Sequence, residues 1–284
     1  MRIANLSGRL VVLEGDLAVD VEAASGGHFA ADPQAVFDRW DEFRGWIAGT
    51  ELPAGERFDP LALGAPSPQP RQVFAIGLNY GDHASEVGLD DAVASPPVFT
   101  KFPTSITGPF ADVEHPGGNV DWEVELVVVI GRRVHRAGCD EGWDAVAGLT
   151  VGQDISERIL QHSGTLPQFS MGKSYVGFGP TGPALVTPDE LEDRDDLELS
   201  CAVNGEQVQH ATTAQLILGV PQLVERLSAV APLLPGDLIF TGTPAGVGLA
   251  HKPPRFLSPG DEVVSRIEGI GEIRNRIVER SLAA

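Results

Sequence analysis

The sequence predicts an α+β fold that is mainly β, with a small N-terminal domain (residues 1–70) ahead of a larger one (71–284). Three observations carry this expectation. Apolar runs of strand length, such as Leu126 to Ile130 and Leu238 to Phe240, recur between turns rich in glycine, proline and asparagine. Helical spacing is confined to short stretches. Between Leu52 and Pro70 periodicity disappears and Pro53, Pro60, Pro66, Pro68 and Pro70 take over, as in a linker.

The chain has 284 residues, enough for one large domain or one large and one small. Its 20 basic against 40 acidic residues give a net charge of -20, which argues against nucleic acid or an anionic membrane as partner. Cys139 and Cys201 are the only cysteines, too few and too far apart for a disulfide framework or a thiolate zinc site. The first residues lack the apolar stretch of a secretory signal and no run approaches a membrane span, so a cytoplasmic protein is expected.

Residues 1 to about 25 read as short strands joined by a hairpin. Val36, Phe37, Trp40, Phe43, Trp46 and Ile47 recur at helical spacing, with Pro33 placed for a first turn, and such an aromatic stripe reads as core. After the proline-rich stretch comes a strand at Val73 to Gly77. A turn or two of helix over 81–87, ending at Gly88, would put His83 and Glu86 on one face, either as a surface pair or as a carboxylate-held general base. The polar stretch 82–97 reads as a lid that would carry this pair over a substrate.

Asp121 to Ile130 is the segment on which the chemistry turns. As one strand it sends Glu123 and Glu125 to the same side and Trp122, Val124 and Leu126 to the other, and the apolar run that follows reads as buried on both faces. Carboxylates entering such a core need a counter-charge, and no Lys or Arg follows in sequence until Arg132, so a divalent cation is the simplest solution. A second buried strand, from Val146, ends at Asp154, which reads either as a helix cap or as a third oxygen ligand. Three oxygen ligands suit Mg2+ or Mn2+ rather than zinc.

Lys173 lies among glycines and reads as a loop lysine. It is no P-loop, because the first glycine of that motif would fall at Leu166. Asn204-Gly205 marks a hairpin tip, Pro221 to Leu227 a helix, and Leu238 to Phe240 a strand. The glycine-rich Thr241 to Gly248 reads as an anion-holding loop or as a tight turn. Strand-like pieces at 260–264 and 267–278 close the chain.

Taken together these segments resemble the fumarylacetoacetate hydrolase family. The resemblance rests on Ile76-Gly77-Leu78-Asn79-Tyr80 with His83 and Glu86, Asp121-Trp122-Glu123-Val124-Glu125-Leu126, and Gln153-Asp154-Ile155-Ser156 with Arg158 and Gln161. It continues through Gly172-Lys173-Ser174, Val203-Asn204-Gly205-Glu206, Pro235-Gly236-Asp237, Thr241 to Gly248 and Gly269-Ile270-Gly271. It implies a mixed β-sandwich or β-roll catalytic domain, a homodimer, and Mg2+ or Mn2+ in a cleft that takes a small anionic keto acid. Glu123, Glu125 and Asp154 match metal carboxylates, and His83 with Glu86 matches the dyad of the lid. Lys173 matches a lysine near the metal, while Arg158, Gln161 and Thr243 match positions that hold the substrate. Three departures stand out: Gln153 and Glu157 replace the usual Asn and Ala, Tyr175-Val176 a frequent Phe-Asp, and no acid lies between Val73 and Tyr80 where the enzyme that names the family has a further aspartate ligand, which implies the three-carboxylate version.

The expected activity is hydrolysis of a carbon–carbon bond in a 2,4-dioxo acid, an acylpyruvate or a diketo sugar acid. The metal would hold the 2-oxo acid end and offset developing enolate charge, His83 with Glu86 would activate water, and Lys173 would support the oxyanion. Decarboxylation of oxaloacetate, isomerisation of a hydroxydienoate and dehydration of a sugar acid use the same enolate and remain alternatives. A metal- or carboxylate-binding protein without catalysis is the reading from another class.

Overall fold

The computed structural model describes residues 1–86, 88 and 96–280. The larger of its two packed sheets runs, in hydrogen-bonded order, Glu56–Arg57, Leu17–Asp20, Arg9–Glu14, Arg2–Leu6, Gly179–Val186, Val146–Gln153, Val124–Ile130, Leu238–Phe240, Val73–Ile76 and Val98–Thr100. The smaller runs Glu206–Thr212, Glu198–Val203, Glu262–Ile267, Gly271–Glu279, Val113–His115. Mixed pairing arises because Leu238–Phe240 lies parallel to Val73–Ile76, while its other neighbour, Val124–Ile130, is antiparallel.

Val124–Ile130 is buried along its whole length because it sits mid-sheet with both faces covered. Alternation sends Leu126, Val128 and Ile130 into a core shared with Leu199, Val263 and Ile273 of the smaller sheet. Val127 and Val129 point the other way, onto Phe37, Trp40 and Phe43. Each such side chain contributes roughly 1.5–3 kcal/mol on burial. The aromatic stripe is therefore core, as its spacing implied. The helix itself starts later than expected: Ala35–Arg39 is a 3-10 turn, Arg39 leaves helical geometry at φ -129°, and Trp40–Gly49 follows as α-helix.

Two further differences from the sequence reading have clear causes. Residues 121–130 are not one continuous strand. Val120–Asp121 pairs instead with Ser156–Glu157, and at the break the Gln153 side chain takes the place of a ladder partner, its Oε1 accepting from Glu123 N at 2.8 Å. The proline-rich stretch is not extended between two bodies, for Leu63 and Gly64 pair with Leu6 and Asn5, and Ser67 Oγ donates to the Gly236 carbonyl at 2.7 Å. Arg2–Leu6 itself pairs with Gly179–Val186, so the first strands extend the larger sheet. Whether residues 1–70 form a separate folding unit is a proposal for which truncation is the test.

Candidate active site

Two adjacent antiparallel strands deliver the acids to one place. The register that sets Val124 opposite Gln153 brings Glu123, Glu125 and Asp154 to the same end, and Asp154 N donates to the Glu123 carbonyl at 2.9 Å. All three side chains are buried, and each offers an oxygen within 4.8 Å of the others'.

The counter-charges that local sequence did not offer come from distant segments. Lys173 Nζ donates to Glu123 Oε2 and Asp154 Oδ2, both at 2.7 Å, and to Ser156 Oγ at 2.8 Å. Arg158 places Nη1 2.7 Å from Glu123 Oε1, while its Nε donates to Asp121 Oδ2 at 2.9 Å. Lys101, which sequence reasoning missed, is fully buried; its Nζ donates to Asp154 Oδ1 at 2.7 Å and to the Lys173 carbonyl. Only its position, between Phe99 and Phe102 at a strand end, hinted that this lysine is not solvated.

These contacts bias the protonation states in opposite directions. Burial works to raise the Glu123 carboxyl, but the charges of Lys173 and Arg158 outweigh it and hold it at about 2. Burial lowers Lys101 despite Asp154 beside it. For Lys173 burial is overcome by Asp154 and Glu123, which raise it. Among the described residues Glu125 has no cation in contact, only the Gly242 N–H donating to Oε2 at 2.8 Å. Burial, then Asp154 and Glu123, push its carboxyl well above the ordinary range. Four acids (Asp121, Glu123, Glu125, Asp154) thus face three cations (Lys101, Arg158, Lys173), and the uncompensated charge falls on Glu125. A divalent cation held by Glu123, Glu125 and Asp154 fits that deficit and that all-oxygen donor set.

Helix Gly81–Glu86 puts His83 and Glu86 on one face, with Nδ1 2.7 Å from Glu86 Oε1. Residues 87 and 89–95 of the expected lid lie outside the described residues. The glycine-rich loop after Leu238–Phe240 does hold anions, and they are the protein's own carboxylates. Gly242 N donates to Glu125, Gly246 N to Glu86 Oε2 at 3.0 Å, and Gly248 and Leu249 N to Asp121 at 2.7 and 2.9 Å. Gly246 can be nothing else, since at φ +104° a Cβ would lie 2.0 Å from the Val208 carbonyl oxygen.

These groups surround a cavity of about 300 Å³. His83, Glu123, Glu125, Arg158 and Lys173 line its charged end, Gln161 and Thr243 line it as well, and Phe99, Phe169 and Leu249 are among its apolar walls. Asp154 and Glu86 stand one contact back, on Lys173 and His83. The structure thus gathers all nine sequence-derived site residues, with two qualifications of geometry. The Thr243 hydroxyl already donates to the Val124 carbonyl and accepts from Gln209 Nε2. All three Lys173 protons are likewise taken, by Glu123, Asp154 and Ser156.

The departures find structural uses. Gln153 spans the sheets, accepting from Glu123 N and donating to Ser265 Oγ at 2.8 Å. Glu157, not Asp154, caps the helix Arg158–Gln161 by accepting from Ile159 N and Leu160 N. Tyr175 packs on Phe178 with ring centroids 5.0 Å apart.

Fold and site define a class, and comparison with known proteins agrees. The sequence profile described as fumarylacetoacetate (FAA) hydrolase C-terminal matches residues 72–278, and the chain belongs to this family of enzymes. It is 41% identical over 231 residues to the mitochondrial oxaloacetate tautomerase FAHD2A of Bos taurus, covering 81% of this chain and 73% of that one. A solved Mycobacterium smegmatis protein provisionally named HpcE is 52% identical, with a TM-score of 0.95 over 99% of this chain and 100% of that one. Maleylpyruvate hydrolase from Sphingobium sp. SYK-6, solved with manganese(II) and pyruvate, is 28% identical, with a TM-score of 0.77 over 98% and 99% of the two chains. Among the described residues no helix is long and apolar enough to cross a membrane.

Proposed function

We propose that this enzyme hydrolyses a carbon–carbon bond of a 2,4-dioxo acid, with Mg2+ or Mn2+ as its metal. The observation that carries the proposal is that His83, held from behind by Glu86, lines the same cavity as Glu123 and Glu125. A divalent ion held by the three carboxylates supplies Lewis acidity at the 2-oxo acid end. The remaining work falls to the chain. With Nδ1 tied to Glu86, His83 takes a proton at Nε2 from water as the oxygen adds to C4. Breaking the C3–C4 bond leaves a carboxylic acid and the enolate of the 2-oxo acid, to which His83 returns the proton at C3. Lys101, Arg158 and Lys173 hold positive charge around the acid end, and the apolar walls exclude stray water.

A second reading, keto–enol tautomerisation of oxaloacetate, is favoured by the FAHD2A relatives. It needs only that His83 carry a proton between C3 and the carbonyl oxygen. The apolar walls formed by Phe99, Phe169 and Leu249 support a dioxo acid with an apolar tail over a four-carbon diacid. The deciding experiment is a product assay with Mn2+ or Mg2+ on 2,4-dioxopentanoate, a diketo sugar acid and oxaloacetate, with Glu123→Ala and His83→Ala as controls. Acid plus 2-oxo acid, lost in both variants, supports the hydrolase. Turnover of oxaloacetate alone replaces it with enolisation or decarboxylation. A homodimer belongs to the same proposal, and light scattering reads it.

A further inference from the structure

We infer that a second copy of this chain docks on the outer side of the cavity wall, so that each copy braces the other's site; this names the face of the homodimer and rests on the metal reading above. Two segments build that wall and are tied together. Phe102 N donates to Ser174 Oγ at 2.9 Å, and Phe99 meets Phe169 edge-on with ring centroids 5.5 Å apart. Arg158 and Gln161 line the cavity, yet Ile159 between them is 60% exposed. Phe169 and Lys173 line it as well, yet Met171 between them is 58% exposed. A wall whose neighbouring side chains reach cavity and solvent in turn is one element thick. Its helices, Arg158–Gln161 and Phe169–Gly172, have four residues each, too few to stand without packing. They lie so close that a Cβ at Gly172 would be 2.6 Å from Gln161 N, but among the described residues nothing covers Ile159 or Met171 from outside.

The outer side has the composition of an interface. Among the described residues nine large hydrophobic side chains are exposed, and six of them, Val98, Phe102, Ile159, Leu166, Met171 and Val176, belong to these two segments. Charge sets the same face apart. The chain has 40 Asp and Glu in 284 residues, yet none falls at 92–111 or at 158–188. The cations of these stretches, Lys101, Arg158 and Lys173, are buried on the acids of the site. Two copies at -20 each repel through most of their surface, and a face without exposed carboxylates is where they can touch. An apolar, uncharged face is also complementary to itself, as a two-fold dimer requires. A basic partner would be drawn to the acidic remainder instead. Burying Ile159 and Met171 in the second copy fixes both helices from outside, and with them Arg158 and Lys173, each of which holds Glu123.

The test is sedimentation velocity with Mn2+ titration of the full chain. It compares wild type with the double variant Ile159→Glu/Met171→Glu and with Val230→Glu, which places a charge at an exposed apolar residue outside the two segments. Wild type is expected at twice the chain's mass. The double variant should sediment as one chain and bind Mn2+ about 10-fold or more weakly, the scale of losing the support behind metal ligands. Added glutamates by themselves attract a cation, so weaker binding cannot come from the new charges. Val230→Glu should match wild type in both readouts. Diluting wild type until it sediments as one chain tests the coupling without a substitution, and its Mn2+ affinity should fall by the same factor. A monomeric wild type, or a double variant that stays dimeric, would overturn the face. Single chains that bind Mn2+ as tightly as the dimer would overturn the bracing of the site. A dimeric wild type that binds no Mn2+, with a monomeric double variant, would overturn the metal reading and uphold the face.

Discussion

The Glu86 carboxylate is held from two sides: Oε2 accepts the Gly246 N–H at 3.0 Å while Oε1 lies 2.7 Å from His83 Nδ1. A glutamine at this position can keep both partners only by turning its amide N–H onto Nδ1, which puts the ring hydrogen on Nε2 and removes the base. Glu86→Gln should therefore lower kcat by about 10²–10⁴-fold, the usual contribution of a general acid–base group. Mn2+ affinity should stay within about twofold, because Glu86 touches none of the three metal carboxylates in the bonds described. Steady-state kinetics together with titration of Mn2+ checks both halves, and undiminished kcat would remove the dyad from the mechanism.

Much of this arrangement was legible in the sequence. Asn204 and Gly205 adopt the positive φ values, 52° and 81°, that the hairpin reading required. Leu238–Phe240 is a strand at the expected bounds, and Glu123, Glu125 and Asp154 converge as the sequence reading expected. What could not be read was which charges answer them. Lys101 lies 53 positions from Asp154 in sequence, and Lys173 lies 50 from Glu123. Only the packing of loops onto the sheet end brings them together. Lys173 looked like a solvated loop residue, and only family resemblance singled it out. The anions held by the glycine-rich loop were equally hidden, since Asp121 and Glu86 come from elements more than a hundred residues away.

Among the described residues Glu125 is the acid without a cation in contact, and burial with Asp154 and Glu123 beside it favours its protonated form, which glutamine mimics. Glu125→Gln should leave the ion-free melting temperature within about 2 °C of wild type, a change of about 1 kcal/mol. Mn2+ affinity should fall by about 100-fold or more, beyond what loss of an outer partner costs. A melting curve with and without Mn2+ is sufficient. Undiminished stabilisation by Mn2+ would remove Glu125 from the ligand set.

The same carboxyl sets a pH dependence whose sign can be worked out. Burial, then Asp154 and Glu123, raise Glu125 well above its ordinary 4.5, so folding takes up a proton in the window between 4.5 and the raised value. The ion-free fold therefore loses stability as pH rises through that window. Binding a divalent ion expels the proton, so affinity rises over the same range. Melting in EDTA and in Mn2+ between about pH 5 and 8 should show the gap between the two curves widening with pH. A gap that is constant or narrows would mean that Glu125 is already ionised without metal.

Lys101 offers a test of whether the buried cations are structural. Its Nζ is one of two cations on Asp154 and fully buried, and Lys101→Met leaves the volume nearly filled but one charge unanswered. Breaking a buried pair from one side costs about 3–5 kcal/mol, so the ion-free variant should unfold at markedly lower denaturant. Mn2+ should return part of that loss, because the ion answers Asp154 directly. Denaturation midpoints with and without Mn2+ check this, and a variant as stable as wild type in EDTA would show that Lys173 alone satisfies Asp154.

Removal of residues 1–70 bears on the proposed division of the chain. Those residues supply Ile3, Leu10, Val12, Phe37, Trp40 and Phe43 to the core that covers Val127, Val129 and Phe240, and Arg2–Leu6 pairs with the edge of Gly179–Val186. A chain beginning at residue 71 would expose that apolar face together with an unpaired strand edge. It should be recovered aggregated, and adding back the 1–70 segment in trans should rescue it only if that segment folds by itself. A soluble, cooperatively melting 71–284 would establish the two parts as independent folding units despite their shared sheet. Aggregation without rescue would mean that the aromatic helix and the strand Val124–Ile130 form one cooperative unit.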